Sequence, residues 1–256
     1  REVQNGAAVA VREKLAGGSA RRVLFQRTSG VSNTAEWSTT GWQVVDQHAT
    51  NKIGESLDMR GGASNGKPMI VGRDDTSKQV IMYVGDNDVG SGWSSRTTLS
   101  GTSRGLYVSL QTIDVPMMSY QYGSSTAVRR ATSSTGGTWQ ADVTIPGTDA
   151  HRGGRYTILV RADGNPAVLY KSEPIGGPQH AYFVRATTST GSAASAWGAP
   201  VAIIGAAHTS KCSWLSALKV RGHLAVVCDA RDGDNWRLLF SFSPAQRGWD
   251  VAAREP

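Results

Sequence analysis

Residues able to carry out acid–base chemistry are few in this sequence. Asp and Glu total 20 of 256 residues. Among the short apolar runs that we predict to be the first strand of each repeat unit, one carries a carboxylate, Asp58, and Asp114 follows another run. Hydrolysis of a glycosidic bond needs two carboxyl groups about 5–10 Å apart. A lone Asp is more often a hydrogen-bonded structural group. The sequence therefore favours a non-catalytic protein.

Metal, phosphate and nucleophile chemistry have still less support. The histidines show no metal-ligand spacing, and there is no Cys-x-x-Cys, no phosphate-binding Gly loop and no Gly-x-Ser-x-Gly; the histidines are His48, His151, His180, His208 and His223. The segment Asp74-Asp75-Thr76-Ser77 lacks the Gly and the terminal Glu of a calcium loop, so we predict an ordinary loop. We expect no metal and no cofactor.

The two cysteines, Cys212 and Cys228, flank a predicted hairpin that turns near Arg221-Gly222. Their positions are slightly out of register for direct partners across that hairpin. A disulfide therefore needs a β-bulge. Two small buried hydrophobic residues are the alternative, and the sequence leaves both open.

Charge and hydropathy limit the partners. The net charge is +7, and 20 of the 27 basic residues are Arg. They are scattered, and no basic run with interleaved aromatics indicates specific nucleic-acid binding. A solvated basic surface or an affinity for acidic polysaccharide remains. The sequence contains no run of about 18 apolar residues, so it predicts no membrane span. Because no initiator Met or signal-like segment is present, we expect a mature product or one domain of a longer protein.

A sequence pattern that recurs five times predicts the strands and turns that position these residues. Each copy has a Pro-like anchor, two apolar runs, a polar Gly-rich turn and a Trp. The anchors fall at Ala7, Pro68, Pro116, Pro166 and His223, and the closing Trp residues are Trp42, Trp93, Trp139, Trp197 and Trp249. The runs are short, rich in Val, Ile, Leu and Tyr, and bounded by Gly, Ser, Thr, Asn or Asp, which is typical of strands.

Four short strands per unit predict a propeller blade. The sequence thus predicts an all-β fold, a five-bladed β-propeller of four-stranded antiparallel blades in a single domain over residues 1–256. The blades are expected at about 1–50, 56–100, 105–147, 154–204 and 212–253. At the ends of the chain, 1–4 should form the first inner strand and 250–253 the last outer strand.

The turns before Trp resemble the Asp-box, Ser/Thr-x-Asp-x-Gly-x-Thr-Trp, of sialidase-type propellers. Residues 86–93 keep Asp88, Gly90 and Trp93, and residues 132–139 keep the Thr, Gly and Trp positions with Ser134 in place of Asp. The resemblance implies a structural turn away from the ligand face, so we expect all five closing Trp residues to be structural and largely buried. The early Arg-Ile/Leu-Pro signature of sialidases is absent, and their Tyr–Glu pair is hard to assemble here.

Topology alone selects a candidate ligand face. In a propeller, that face is built by the loops entering each first strand and those joining the second strand to the third. The candidates on these loops are Arg73, Asp74, Tyr120, Tyr122, Tyr170, Lys171, Asp229 and Arg231.

We predict a non-catalytic module of a secreted or surface protein that binds a glycan or a protein surface. The alternatives are a building unit of an extracellular filament or other larger assembly, and a diverged, sialidase-like glycoside hydrolase.

Overall fold

A computed structural model describes most of the chain and gives almost entirely β-structure. The described residues are 2–3, 6–15, 21–27, 41–48, 51–61, 66–88, 90–93, 95–99, 107–111, 115–149, 155–172, 180–204, 211–232, 235–244 and 248. No helix among them has the length and apolarity needed to cross a bilayer.

The described strands form five antiparallel sheets, each a meander in which neighbours along the chain pair. Sheet 1 contains β1 (Glu2–Val3), β2 (Gly6–Lys14), β3 (Arg21–Arg27) and β4 (Gln43–His48). Sheet 2 contains β5 (Glu55–Gly61), β6 (Pro68–Asp74), β7 (Gln79–Val84) and β8 (Ser95–Leu99). Sheet 3 contains β9 (Val108–Gln111), β10 (Met117–Tyr122), β11 (Ser125–Arg130) and β12 (Val143–Thr144).

Sheet 4 contains β13 (Arg155–Ala162), β14 (Asn165–Lys171), β15 (Ala181–Arg185) and β16 (Val201–Ile204). Sheet 5 has three described strands, β17 (Lys211–Val220), β18 (His223–Asp232) and β19 (Asn235–Phe242). The only helical element described is one 3₁₀ turn, Ala194–Ala196. The all-β prediction is therefore confirmed. Residues 2–3 pair with 6–7 inside sheet 1, while 250–253 lie outside the described residues.

Packing divides the chain into two compact units, and the boundary passes through sheet 3. The first comprises Arg1–Met118 with Arg129–Ala141, and the second Ser119–Val128 with Asp142–Pro256. The core of the first unit includes Phe25, Ile70 and Tyr83, and that of the second includes Leu169 and Phe183. Each such side chain stabilises its unit by about 1.5–3 kcal/mol on burial.

Tight hairpins connect strands at two positions where the backbone is left-handed. Asp163 and Gly164 have φ of 50° and 76°, and Arg221 and Gly222 have 49° and 87°. Two consecutive positive φ values characterise a two-residue type I′ turn, whose twist matches that of the paired strands. The hairpin predicted to turn near Arg221-Gly222 is thus confirmed.

The recurring anchor has a defined role in the backbone. Its carbonyl accepts a hydrogen bond from the N–H of the first residue after the third strand. The pairs are Gly85 to Pro68 (2.9 Å), Ala131 to Pro116 (2.8 Å), Ala186 to Pro166 (2.9 Å) and Ser243 to Leu224 (2.8 Å). In sheet 5 the equivalent residue is thus Leu224, and the prediction of His223 is wrong by one position.

The Gly of each polar turn lies directly against the anchor. Gly90, Gly136 and Gly191 have φ of 67°, 70° and 56°. A Cβ added to them would lie 3.0, 3.5 and 3.0 Å from the Cγ of the Pro that precedes each turn, which are Pro68, Pro116 and Pro166. The recurring Pro and the recurring Gly therefore contact each other in these three turns.

The closing Trp residues divide into three groups. Trp139 and Trp197 are equivalent, since each donates its indole N–H to the carbonyl of the turn Gly, Gly136 at 2.9 Å and Gly191 at 3.0 Å. Trp93 is half-buried and instead packs edge-on against Phe25, with ring centroids 5.1 Å apart.

The prediction of burial is wrong for Trp42, which is 47% exposed. Trp139 donates to the carbonyl of Gly136, three residues before it. The residue three before Trp42 is Thr39, so the turn glycine of the pattern is missing there. Trp139 is half-buried and Trp197 is buried, while Trp249 lies outside the described residues.

We expect Gly136→Ala to lower the free energy of unfolding by about 1–3 kcal/mol. The alanine would have to adopt a positive φ, and its Cβ would lie 2.7 Å from Met82 Cε. Gly137→Ala is the matched control, since its Cβ would have no neighbour closer than 3.8 Å. That variant should stay within about 0.5 kcal/mol of the parent. Urea unfolding monitored by circular dichroism measures both, and equal effects would contradict the proposed role of the turn.

Candidate functional site

Asp58, the carboxylate predicted on a first strand, is tied into the backbone. Its Oδ2 accepts hydrogen bonds from the Leu110 N–H (2.9 Å) and Ser109 Oγ (3.0 Å), and its Oδ1 accepts one from the Met59 N–H (2.9 Å). Arg60 Nη2 lies 3.8 Å from Oδ2 and Arg60 Nε donates to the Leu110 carbonyl at 2.8 Å. A carboxylate engaged in this way joins β5 to β9 and is poorly placed to exchange protons with a substrate.

First strands carry more carboxylates than the sequence predicted. Strand β1 contains Glu2, and β5 begins at Glu55 rather than at Ser56. The expectation that Asp58 is the single first-strand carboxylate is therefore wrong. The apolar run used to predict β5 stopped one residue short, because a Glu at a strand end breaks the hydrophobic pattern without ending the hydrogen-bonded ladder.

A cavity of about 250 Å³ borders this region of the first unit. It is lined by Ala8, Val9, Ala10, Leu57, Asp58 and Met59, from β2 and β5. Its volume is below the roughly 300–1,000 Å³ of most ligand pockets. The described residues of the lining are mainly aliphatic, and the charged side chain among them is the hydrogen-bonded Asp58.

Asp74 organises the loop between β6 and β7. Its carboxylate accepts hydrogen bonds from Asn51 Nδ2 (2.7 Å), the Thr76 N–H (2.8 Å) and Ser77 Oγ (2.8 Å). Burial raises the pKa of Asp74, but the hydrogen bonds from Ser77, Thr76 and Asn51 outweigh it and hold that pKa below its usual value. Asp74 is thus the structural acceptor of an Asx-type turn.

Arg73 is the adjacent candidate, and it is buried, with 3% exposure. Its guanidinium lies 2.9 Å from Asp75 Oδ1, which Lys78 also contacts at 2.7 Å. Among the described residues, no group of three or more His, Cys, Asp and Glu side chains is placed to hold a metal ion.

Two tyrosines predicted on the ligand face lie in the core. Tyr120 is 3% exposed, lies within β10 and donates its hydroxyl to Asp142. Tyr170 is fully buried and stacks on Tyr182 with ring centroids 5.4 Å apart. Burial raises the pKa of Tyr170, with smaller contributions from Tyr182 and Asp149. The prediction that they belong to an accessible face is wrong. Strand β10 continues past Tyr120 to Tyr122, and Tyr170, at the end of its predicted run, is paired with Tyr182 of β15.

Lys171 is also buried, at 5% exposure, whereas Tyr122 is half-buried at the end of β10. The strand register nevertheless relates several candidates to one another. Each second-strand basic residue pairs with the residue that begins its first strand: Glu55 with Arg73, Arg155 with Lys171, and Lys211 with Arg231. In sheets 2 and 4 a register shift follows directly, and in sheet 5 it follows after one further pair. Such bulges are common next to functional sites.

Accessible aromatic residues cluster on sheet 5, around the candidates Asp229 and Arg231. Trp214 pairs with Asp229 across β17 and β18, and Trp236 pairs with Arg231 across β18 and β19. Since direct cross-strand partners share a face, the two Trp residues flank the Asp229–Arg231 positions. Both Trp side chains are 62% exposed.

Sequence reasoning missed Trp214 and Trp236 because it followed only the Trp that closes each repeat. A usable signal was present in β19, where Trp236, Leu238, Phe240 and Phe242 alternate with other residues. Alternation of this kind predicts one apolar face of a strand. The structure leaves that face accessible, with exposures from 46% to 78%.

A disulfide lies on the opposite face of the same sheet. Cys212 and Cys228 are bonded, with Cα atoms 5.7 Å apart, and both are buried. The ladder shifts register between Cys212 and Trp214. The β-bulge that a disulfide requires is therefore present, and of the two alternatives for the cysteines the disulfide is the one observed.

Comparisons with known proteins address the fold. No protein-family model matches the chain, and a search of curated proteins gives no match. Among solved structures, the catalytic domain of the Coprinopsis cinerea GH62 alpha-L-arabinofuranosidase is similar, with a TM-score of 0.54 and 12% identity, over 94% of this chain and 87% of that one. The Podospora anserina alpha-L-arabinofuranosidase in complex with cellotriose gives 0.54 and 8%, over 95% and 88%.

The NanB sialidase of Streptococcus pneumoniae gives a TM-score of 0.57 with 11% identity, over 85% of this chain and 34% of that one. The chain thus spans about a third of that sialidase. At these identities the likeness concerns the fold alone, which is similar to that of propeller-type glycosidases.

We expect Asp74→Ala to lower the free energy of unfolding at pH 7 by about 1–3 kcal/mol, because it removes the buried carboxylate that accepts hydrogen bonds from Asn51, Thr76 and Ser77. Since the folded pKa is depressed, the contribution of the carboxylate is complete above the unfolded value of about 3.9 and is lost as the pH falls through the lower folded value. Denaturant unfolding at pH 7 and pH 3 measures this.

The control is Asp88→Ala, which removes an exposed carboxylate and should change stability by less than about 0.5 kcal/mol. If the difference between the parent and Asp74→Ala is the same at both pH values, the carboxylate is not the stabilising group.

Proposed function

We propose that this chain is a single-domain, five-bladed β-propeller that binds glycans without hydrolysing them, as a module of a secreted or surface protein. The observation that carries the proposal is the accessible pair Trp214 and Trp236, which flanks Asp229 and Arg231 on one sheet face.

Each component of this face suits a sugar. An exposed indole offers a flat apolar surface to the C–H side of a pyranose ring, and its burial contributes most of the contact energy. The carboxylate of Asp229, the cross-strand partner of Trp214, can accept charge-assisted hydrogen bonds from ring hydroxyls. The fold likeness to arabinofuranosidases and a sialidase supports carbohydrate as the ligand class.

The absence of catalysis is inferred from Asp58. Its oxygens are occupied by backbone and hydroxyl donors of β9 and β5, whereas a general acid or base needs a carboxyl group within reach of substrate. The Cys212–Cys228 disulfide supports an oxidising, extracellular location.

A second candidate function is assembly into a larger extracellular structure. The face that carries the two Trp residues continues along β17 and β19 as exposed apolar side chains, which are Leu218, Val220, Leu238, Phe240 and Phe242. Contiguous apolar surface of this kind marks protein contact sites. Filament or oligomer formation through sheet 5 is therefore the alternative to glycan binding.

We expect Trp214→Ala and Trp236→Ala each to weaken glycan binding at least tenfold, equivalent to about 1.4 kcal/mol. A glycan array with the parent protein identifies the ligand, and titration calorimetry with that glycan measures the variants. Trp42→Ala is the control, since it removes another exposed indole and should leave affinity unchanged. The contradicting result is a parent protein that binds no glycan on the array but associates as its concentration rises, with the association lost in Phe240→Ser. That result would favour assembly over glycan binding as the function.

We also expect no turnover of a panel of fluorogenic glycosides that includes a sialoside and an arabinofuranoside, because Asp58 is held by the backbone. The panel should be run with the parent, with Asp58→Asn and with Glu55→Gln, which tests the other carboxylate of β5. Turnover that disappears in either variant would make the chain a glycoside hydrolase and overturn the proposal.

A further inference from the structure

The spacing of buried residues in β17 conflicts with a regular strand. Cys212 and Leu215 are 1% and 8% exposed. They are three positions apart, and regular alternation would place them on opposite faces. The register shift between Cys212 and Trp214 accommodates the extra residue. The bulge therefore lets Cys212 and Leu215 share the buried face while Trp214 points to the other.

The disulfide spans this bulge. In the ladder, Cys212 pairs with Ala230 and Leu215 pairs with Cys228. The Cys212–Cys228 bond thus runs diagonally from one side of the bulge to the other strand. It fixes which residues of β17 lie opposite β18 at this point, so that slippage by one position would require breaking a covalent bond.

Asp229 completes the arrangement. A bulge displaces backbone donors from the regular ladder, and here the N–H of Trp214 donates to Asp229 Oδ1. Asp229 is adjacent to Cys228 and is the cross-strand partner of Trp214. One carboxylate oxygen therefore holds the backbone of the residue whose indole is exposed.

We propose that Cys212, Cys228 and Asp229 are positioning residues that hold the Trp214 indole in the orientation needed for ligand stacking, so that glycan affinity depends on the disulfide. This rests on the proposed function. Slippage of β17 by one residue would turn Trp214 toward the buried face, because side chains alternate along a strand.

The redox step is an ordinary thiol–disulfide exchange. A dithiol reductant supplies two electrons and two protons, the Cys212–Cys228 S–S bond breaks, two thiols form, and the reductant becomes a disulfide. The hairpin ladder from Leu215 to Val220 does not depend on that bond. Reduction should therefore release the bulge without unfolding sheet 5.

The test uses the full chain labelled with 5-fluorotryptophan. The fluorine resonance of Trp214 is identified as the one missing from Trp214→Phe, and that of Trp236 as the one missing from Trp236→Phe. The Trp214 resonance should shift or broaden after treatment with dithiothreitol, in the double variant Cys212→Ser with Cys228→Ser, and in Asp229→Ala. Asp229→Asn should restore it, since the amide oxygen can still accept the Trp214 N–H. Lys219→Ala, at the exposed far end of β17, is the control and should leave it unchanged.

Glycan affinity should fall at least fivefold in the double Ser variant and in Asp229→Ala. The affinity of Asp229→Asn should lie between those of Asp229→Ala and the parent, because the amide still holds the Trp214 N–H but carries no charge for a sugar hydroxyl. An unchanged Trp214 resonance in the folded double Ser variant overturns the inference. If that variant does not fold, the comparison of Asp229→Ala with Asp229→Asn decides it, and equal spectra overturn it. A parent protein that binds no glycan overturns the proposed function instead, while the fluorine spectra still decide whether the disulfide positions Trp214.

Discussion

The contact between a positive-φ glycine and its neighbours is the constraint on which the sheets depend. Gly90, Gly136 and Gly191 lie against a Pro at or next to the first residue of the second strand of their own sheet. Gly90, Gly136 and Gly248 also lie where a Cβ would come within 3 Å of a large side chain of the preceding sheet, which are Phe25, Met82 and Phe183. One residue type thus satisfies a turn conformation and a close approach together, which no side-chain-bearing residue can do without strain.

This constraint explains why the strands were predictable from the sequence. The sequence pattern recurs because each turn has three requirements. One position must be Gly, its contact partner is best filled by Pro, and the Trp indole donates to the turn carbonyl, as at Gly136, Pro116 and Trp139. The pattern fails where its physical basis is absent. Trp42 has Thr39 where Trp93 and Trp139 have the turn Gly three residues earlier, and it is exposed. In sheet 5 the anchor carbonyl belongs to Leu224, whose side chain gives no such signal.

The candidate site was predicted less well, because topology indicates which end of a strand a residue occupies but not how far the strand extends. Tyr120 was predicted at the start of a loop and Tyr170 just before one, yet the strands continue past both residues and their rings are buried. Asp74 was predicted to be a recognition residue, but its carboxylate accepts hydrogen bonds from Thr76 and Ser77 of its own turn. Trp214 could not be assigned from the sequence, since its exposure follows from a bulge that depends on which face receives Cys212.

The covalent bond in sheet 5 has a mechanical consequence. In a surface protein loaded through its C-terminus, tension reaches β19 before β18, and an antiparallel strand loaded at its end detaches one hydrogen-bonded pair at a time. Unzipping would begin at Phe242, would reach Trp236 near the far end of β19, and would then meet the Cys212–Cys228 crosslink between β17 and β18. Force would therefore divide this face into a detachable half and a retained half, with Trp214 on the part that remains.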